Sequence, residues 1–542
     1  MAIKIDYRIA EGESRTALGG CADFSLEMLE NENRRTVRLI ANRDLTLLAY
    51  EEDAPAHFSG RRVAKHNSIF LNGYQSWTDS RERPFLRFEK NLLHLPQILL
   101  DTYAFDRYGD YHFYPYDVRR VHGYDIFYRR GARNGFLMNL NYKKAYLIVE
   151  VDRRTGLVRL KSDVHGAKVK AGESYLLIDY ATFSSYEEGM RDFKRRFPER
   201  PIEKIFGYTS WYNYYQEIDE AIISRDLDAL DDRFNLFQID DGYETFVGDW
   251  LDVDEKKFPH GLSFIPERAH ARGMKAGIWL APFVAEEKSR LFAEHKEYFK
   301  RDADGNFVKC GSNWSGFYAL DLENAEVRAY IRTCLRHYAD MGFDLFKLDF
   351  LYAANLPEYE GKTRSEAAEE AYAFLRETLP DRLILGCGAT LFNAVGKFDY
   401  MRIGPDVSLS FDDVFYMKFF HRERPSTMIT LQNTIYRSFM NGSFFGNDPD
   451  VFLLREDNIK LSKETRRALL TINALFGSVL MTSDNVGRYG PEQKAMLDEA
   501  FALFREAKVI SFAKKGRKIK IRYEFNGKEH SIQYNTAKGV IV

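Results

Sequence analysis

Cysteine is scarce in this 542-residue chain, and its four copies, Cys21, Cys310, Cys334 and Cys387, never approach C-x-x-C spacing. That excludes a zinc ribbon, a dithiol redox motif and a disulfide framework. Neither sign of charge is in excess: 78 basic residues face 80 acidic ones, a formal net charge of −2. Such a balance offers no electrostatic footprint for nucleic acid or an anionic membrane surface. No apolar run approaches the roughly 18 residues of a membrane span, and the start, Met1 to Asp6, lacks a leader-like apolar stretch. A cytoplasmic, reducing setting is the expectation. The 12 histidines form no H-E-x-x-H or other metal spacing. A G-x-S-x-G elbow, a P-loop and a strand-linked G-x-G-x-x-G are all missing as well. No cofactor and no metal are expected.

What is present is a long, aromatic-rich chain: 45% hydrophobic, 29% charged and 15% aromatic. Its length exceeds one ordinary core, so several domains are expected. Residues 1–200 read as a β-sandwich domain, with short β-prone runs such as 36–40, 45–50 and 145–151 broken by Gly, Asn and Asp turns. Arg153-Arg154-Thr155-Gly156 reads as a hairpin turn. A helical stretch at 186–197 leads to Pro198 and Pro201, where the boundary falls. Strand and helix then alternate through 201–506. The candidate strands are 206–211, 235–240, 274–281, 345–350, 383–386, 400–403, 443–446 and 479–482, with helices such as 324–340 and 365–378 between them. That alternation predicts a central (β/α)₈ TIM barrel. The fifth-to-sixth connection is short, and 507–542 reads as a small C-terminal β-domain. The predicted fold class is therefore multidomain, α/β plus all-β.

In such a barrel, functional residues gather where the strands end. Here those ends carry Trp211; Asp240 and Asp241; Trp279; Lys347 and Asp349; Cys387; Arg402 and Asp406; Asp448 and Asp450; and Asp484. Two carboxyls brought to one mouth suit glycosidic bond cleavage, one attacking the sugar carbon and the other lending and recovering a proton. Asp349 and Asp406 are the candidates. Lys347 shares a strand face with Asp349 and is expected to keep it ionised. Arg402 reads as a similar cation or as a brace of the rim. Asp240 and Asp241, being adjacent, should point in different directions, and Trp211 and Trp279 read as stacking platforms for a pyranose. Calcium at Asp249, Asp252 and Asp254, or at Asp302 to Asn306, lacks the glycine and terminal glutamate of a known loop.

Several stretches, taken in order, resemble the motifs of glycoside hydrolase family 36 α-galactosidases. They are Asn72-Gly73-Tyr74-Gln75-Ser76-Trp77, Phe237-Gln238-Ile239-Asp240-Asp241-Gly242-Tyr243 with Gly248-Asp249-Trp250, and Gly277-Ile278-Trp279-Leu280-Ala281-Pro282-Phe283. Phe346-Lys347-Leu348-Asp349-Phe350, Leu385-Gly386-Cys387-Gly388, Met401-Arg402-Ile403-Gly404-Pro405-Asp406 and Asn447-Asp448-Pro449-Asp450 complete the series. The resemblance implies an N-terminal β-supersandwich, a catalytic barrel and a retaining α-glycosidase. It implies Asp349 as nucleophile and Asp406 as general acid/base. Trp77, Trp211, Asp240, Asp241, Trp279, Lys347, Cys387 and Arg402 would line the galactose subsite, with a small oligosaccharide as the partner. Tyr74 stands where some relatives have Trp, and Thr209 where a Cys is common; both bear on substrate preference. An α-N-acetylgalactosaminidase is the alternative within the family. A Schiff-base lyase built on Lys347 and a non-catalytic sugar-binding protein are the alternatives outside it. A monomer or small homo-oligomer is expected.

Overall fold

The structure, a computed structural model, describes all residues except 1, 10–11, 61–66, 86–94, 115, 132, 413–416 and 418–420. Between Ile3 and Phe183 the chain forms two seven-stranded antiparallel sheets. The hairpin at 153–156 joins Leu147–Asp152 to Val158–Ser162. Helix Tyr186–Arg196, capped by the Ser185 hydroxyl on Glu188 N–H, then leads toward the central sheet.

The central sheet is parallel, and its strands run in chain order. Strand one is Ile205–Thr209, two Leu236–Ile239, three Lys275–Leu280, four Leu345–Leu348, five Leu383–Gly386, six Tyr400–Arg402 and eight Val479–Thr482. Nearly every residue in them is buried, as expected of strands covered on both faces. Strand seven comes in two pieces, Gly446–Asp448 and Val451–Phe452. The first pairs with strand six and the second with strand eight. The two ends of the ladder are thus separated only by Pro449 and Asp450, and the sheet curls back on itself into a TIM-like domain. Pro449 has no N–H to give and Asp450 sits at φ 73°, so pairing breaks there. The expected strand at 443–446 is displaced: Ser443 and Phe444 are held in a turn, their N–H groups on Met440 O.

Helices follow most strands. Asn324 caps Ala325–Met341, which ends at Gly342 (φ 111°). Thr363 and Glu366 form a capping box on Arg364–Thr378. The connection from strand five to six is built of turns alone. A final four-stranded antiparallel sheet, Lys508 to Ile541, alternates buried and exposed residues along Lys518–Phe525. It packs Phe512 against Tyr436 and Phe476. Among the described residues no helix is long and apolar enough to cross a membrane.

Candidate active site

At the C-terminal ends of strands two, three and four the polar groups lie deep. Asp240, 2% exposed, accepts from Lys347 Nζ (2.8 Å), Gln238 Nε2 (2.8 Å) and Thr209 Oγ1 (3.1 Å). Burial works against the Lys347 ammonium, but Asp240 beside it more than offsets that, and the lysine's pKa ends above its ordinary value. Asp241 turns the other way and accepts from Gln216 Nε2 (3.0 Å) and Trp314 Nε1 (2.9 Å). The two adjacent aspartates diverge, as the strand geometry requires.

Asp349 follows strand four directly. Its Oδ2 accepts from Trp279 Nε1 (3.1 Å) and its Oδ1 from Phe350 N–H (2.8 Å). Phe350 has a left-handed backbone (φ 53°), an uncommon conformation for an aromatic residue. That sharp turn folds the next N–H back onto the carboxylate. Burial raises the Asp349 pKa; Lys347 pulls it down and the charge of Asp406 pushes it up, for a net rise. As expected, Lys347 favours the ionised carboxylate, but its ammonium is committed to Asp240, and burial and the Asp406 charge outweigh its field on Asp349.

The opposite wall is built on strands six and seven. Arg402, 3% exposed, divides its guanidinium among Asp406 Oδ1 (2.9 Å), Asp448 Oδ2 (3.0 Å) and Asp450 Oδ1 (2.8 Å). It is a brace, with little left to offer a ligand. Asp406 keeps 38% of its side chain exposed, the most open of these acids. Asp450 is pushed up to about 7 by burial, with Arg402 opposing and Asp406 and Asp448 adding to the rise. It accepts from the Tyr212 hydroxyl and from Val407 N–H (2.7 Å), the amide next to Asp406.

Four of the five tryptophans gather here. Trp279, 2% exposed, is wedged between Trp250 (centroids 5.7 Å apart) and Trp314 (6.1 Å), so it presents an N–H to Asp349 more than an open ring face. Trp77 arrives from the N-terminal sheets and stands edge-on to Phe350 and Tyr352, its Nε1 3.3 Å from Cys387 Sγ. The approach needs glycine at 388, because a Cβ there would fall 3.0 Å from the indole ring. Arg437 holds the 72–77 loop in place, donating to Asn72 Oδ1 (3.0 Å), Ser76 O (2.5 Å) and Gln75 O (3.2 Å) while also gripping Ile403 O (2.8 Å). Cys387 is wholly buried, its thiol pushed far up by burial and by Asp349, so it stays protonated.

Nine of the ten residues singled out from sequence join one web of contacts and fields. Trp211 stands somewhat apart, opening the short helix Trp211–Tyr214 with its ring against Tyr215 (5.1 Å). Sequence reasoning missed Trp314, Tyr212, Arg437 and the bracing role of Asp448 and Asp450. For Trp314 a signal existed: a rare tryptophan set among Ser and Gly in a loop. Buried Glu286 fixes that loop by accepting from Ser315 Oγ (2.6 Å) and Val247 N–H (3.0 Å).

Paired acids, cation-braced and walled with tryptophan at the mouth of a parallel α/β sheet, form an arrangement that suits glycosidic bond cleavage. Residues 199–378 match the Melibiase family model. The chain is 33% identical over 226 residues to the A type blood α-D-galactosamine galactosaminidase of Flavonifractor plautii, covering 38% of this chain and 20% of that protein. It is 32% identical over 145 residues to α-galactosidase 1 of Pediococcus pentosaceus, covering 25% and 18%. The matched stretch thus spans only about a fifth of these curated relatives. The likeness to solved structures runs further. The α-galactosidase of Thermus thermophilus, in complex with p-nitrophenyl α-D-galactopyranoside, superposes with a TM-score of 0.70 at 26% identity over 93% of this chain and 98% of that one. The family 36 α-galactosidase of Geobacillus stearothermophilus shares the fold (TM-score 0.59, 13% identity, 92% and 70% covered).

Proposed function

We propose that the chain is a retaining, exo-acting α-galactosidase that removes terminal α-D-galactosyl residues from small oligosaccharides. The observation that carries this reading is the unlike pair of acids at one mouth: Asp349 buried and fixed by two N–H donors, Asp406 open and held by Arg402, each within the other's field. A nucleophile needs fixed aim. An acid/base needs access to the leaving group and to water. Asp349 attacks the anomeric carbon while Asp406 protonates the departing oxygen; Asp406 then deprotonates the water that frees the glycosyl-enzyme.

Asp240, Asp241, Lys347, Trp77, Trp211, Trp279 and Cys387 line the galactose subsite in this reading, with Arg402 behind them. An unmatched buried polar group costs about 1–3 kcal/mol, enough for Asp240 and Asp241 to discriminate the orientation of a sugar hydroxyl. The scaffold is read as a closed (β/α)₈ barrel over 201–506, a β-supersandwich over 1–200 and a β-domain over 507–542. Relatives solved with stachyose and raffinose support an oligosaccharide partner. Four free thiols support a reducing, cytoplasmic setting. Lys347 is a poor Schiff-base residue, since a lysine held charged in a buried ion pair lacks the neutral amine that reaction needs.

Hydrolysis of an aryl α-galactoside, with the first-formed anomer read by proton NMR, tests the proposal; α-galactose first supports it, and β-galactose first or no turnover overturns it. One second reading has a specific observation behind it. The Flavonifractor relative is named for α-D-galactosamine, so amino-sugar α-glycosides belong in the same assay.

A further inference from the structure

Glu244 closes the turn that follows strand two. It is 6% exposed, and one oxygen accepts a long hydrogen bond from Gly242 N–H (3.3 Å). The other oxygen, Oε1, is buried without a hydrogen-bond partner, and the Asp241 carboxyl lies within hydrogen-bonding reach of the Glu244 carboxyl. Both Asp241 oxygens already take donors, from Gln216 and Trp314. Two ionised carboxylates cannot share so dry a space.

We propose that Glu244 stays a neutral carboxylic acid whose O–H donates to Asp241, and that this shared proton aims Asp241 at a hydroxyl of the sugar. The inference rests on the α-galactosidase reading above and names a positioning residue within it. The surroundings favour the protonated form. Lys257, the nearest cation on this turn, spends its ammonium on Gln216 O (2.8 Å) and Gly242 O (3.1 Å). The groups around it are neutral or are acids already paired: Asp240, held by Lys347, and Tyr243 on the same turn, Tyr338 from helix Ala325–Met341, and Asp252, held by Arg290, beside Val253, which bridges to Glu244. Burial first, and Asp241 second, hold the Glu244 proton on well above the ordinary carboxyl range.

The experiment compares wild type, Glu244→Gln and Glu244→Ala on an aryl α-galactoside across pH, with infrared spectra of each protein at neutral pH. In wild type KM rises at alkaline pH as the pair sheds its proton and Asp241 loses its aim. Glu244→Gln supplies a fixed N–H donor, so KM near neutral pH is rescued and the alkaline rise disappears. Glu244→Ala raises KM roughly tenfold near neutral pH, shows no further alkaline rise and moves kcat little, the loss of one charge-assisted hydrogen bond's worth of positioning. The wild-type minus Glu244→Gln difference spectrum carries the C=O stretch of one protonated carboxyl, over the band that other buried acids such as Asp450 give to both proteins. A difference spectrum without that stretch, with the alkaline rise kept in Glu244→Gln, overturns the proposal, as does wild-type KM in a folded Glu244→Ala protein. A wild-type chain inactive on α-galactosides would overturn the functional reading instead, with the infrared band still deciding whether the proton is shared.

Discussion

The two walls of the site solve opposite problems. On the side of strands two to four the carboxylates are buried and each donor is singly committed: Lys347 to Asp240, Trp279 and the Phe350 amide to Asp349, Trp314 to Asp241. On the side of strands six and seven, one arginine serves three carboxylates and the outermost, Asp406, remains open. The first wall fixes an atom in space. The second holds an acid by its cation while leaving it reachable. In the proposed reading a nucleophile and an acid/base differ in what they must tolerate, and burial divides the two tasks.

The sharpest way to break that comparison is to remove each acid in turn. Asp349→Ala should lower turnover on every α-galactoside by a thousandfold or more, about 4 kcal/mol of barrier. A variant with near-normal rates on an aryl α-galactoside removes Asp349 from its role. Asp406→Ala should discriminate between substrates: a loss of about a thousandfold on an oligosaccharide with a poor leaving group, and a much smaller one on an activated aryl glycoside in the first step. Equal losses on both would erase the distinction between the walls.

Trp77 tests whether the buried wall extends into the N-terminal sheets. Trp77→Phe keeps a ring against Phe350 and Tyr352 but loses the N–H that meets Cys387. Trp77→Ala loses both and should raise KM tenfold to a hundredfold, about 1–3 kcal/mol, with Trp77→Phe in between. Steady-state kinetics on one substrate reads both, and equal KM values for all three proteins would leave Trp77 outside the site.

Much of this site could be read from sequence because strand ends advertise themselves. An apolar run of four to six residues that stops at Asp, Trp or Arg locates both a strand and its mouth-facing residue. Strand seven escaped because Ser443-Phe444-Phe445 looks β-prone while the pairing residues, Gly446 to Asp448 and Val451 to Phe452, straddle a proline. Partner choice escaped for a different reason. That Lys347 meets Asp240 rather than Asp349 depends on how strands two and four converge across strand three, a relation between segments more than a hundred residues apart. Arg437 was invisible on the same grounds: nothing local marks an arginine whose acceptors are the carbonyls of a loop from the other end of the chain. The 72–77 motif itself was legible, but the latch that holds it was not.

Asp450 offers the finest adjustment of the open wall. It rests at φ 73°, which asparagine tolerates nearly as well, so Asp450→Asn should fold. In the wild type the acid is pushed up to about 7, chiefly by burial. Its unfolded counterpart titrates near 3.9, so between roughly pH 4 and 7 the folded state holds a proton the unfolded chain has released. Stability on that account is present at the acid end and falls as pH rises through the window, by at most about 1.4 kcal/mol per unit. Asparagine cancels the slope, and urea titrations of both proteins across that window read the difference.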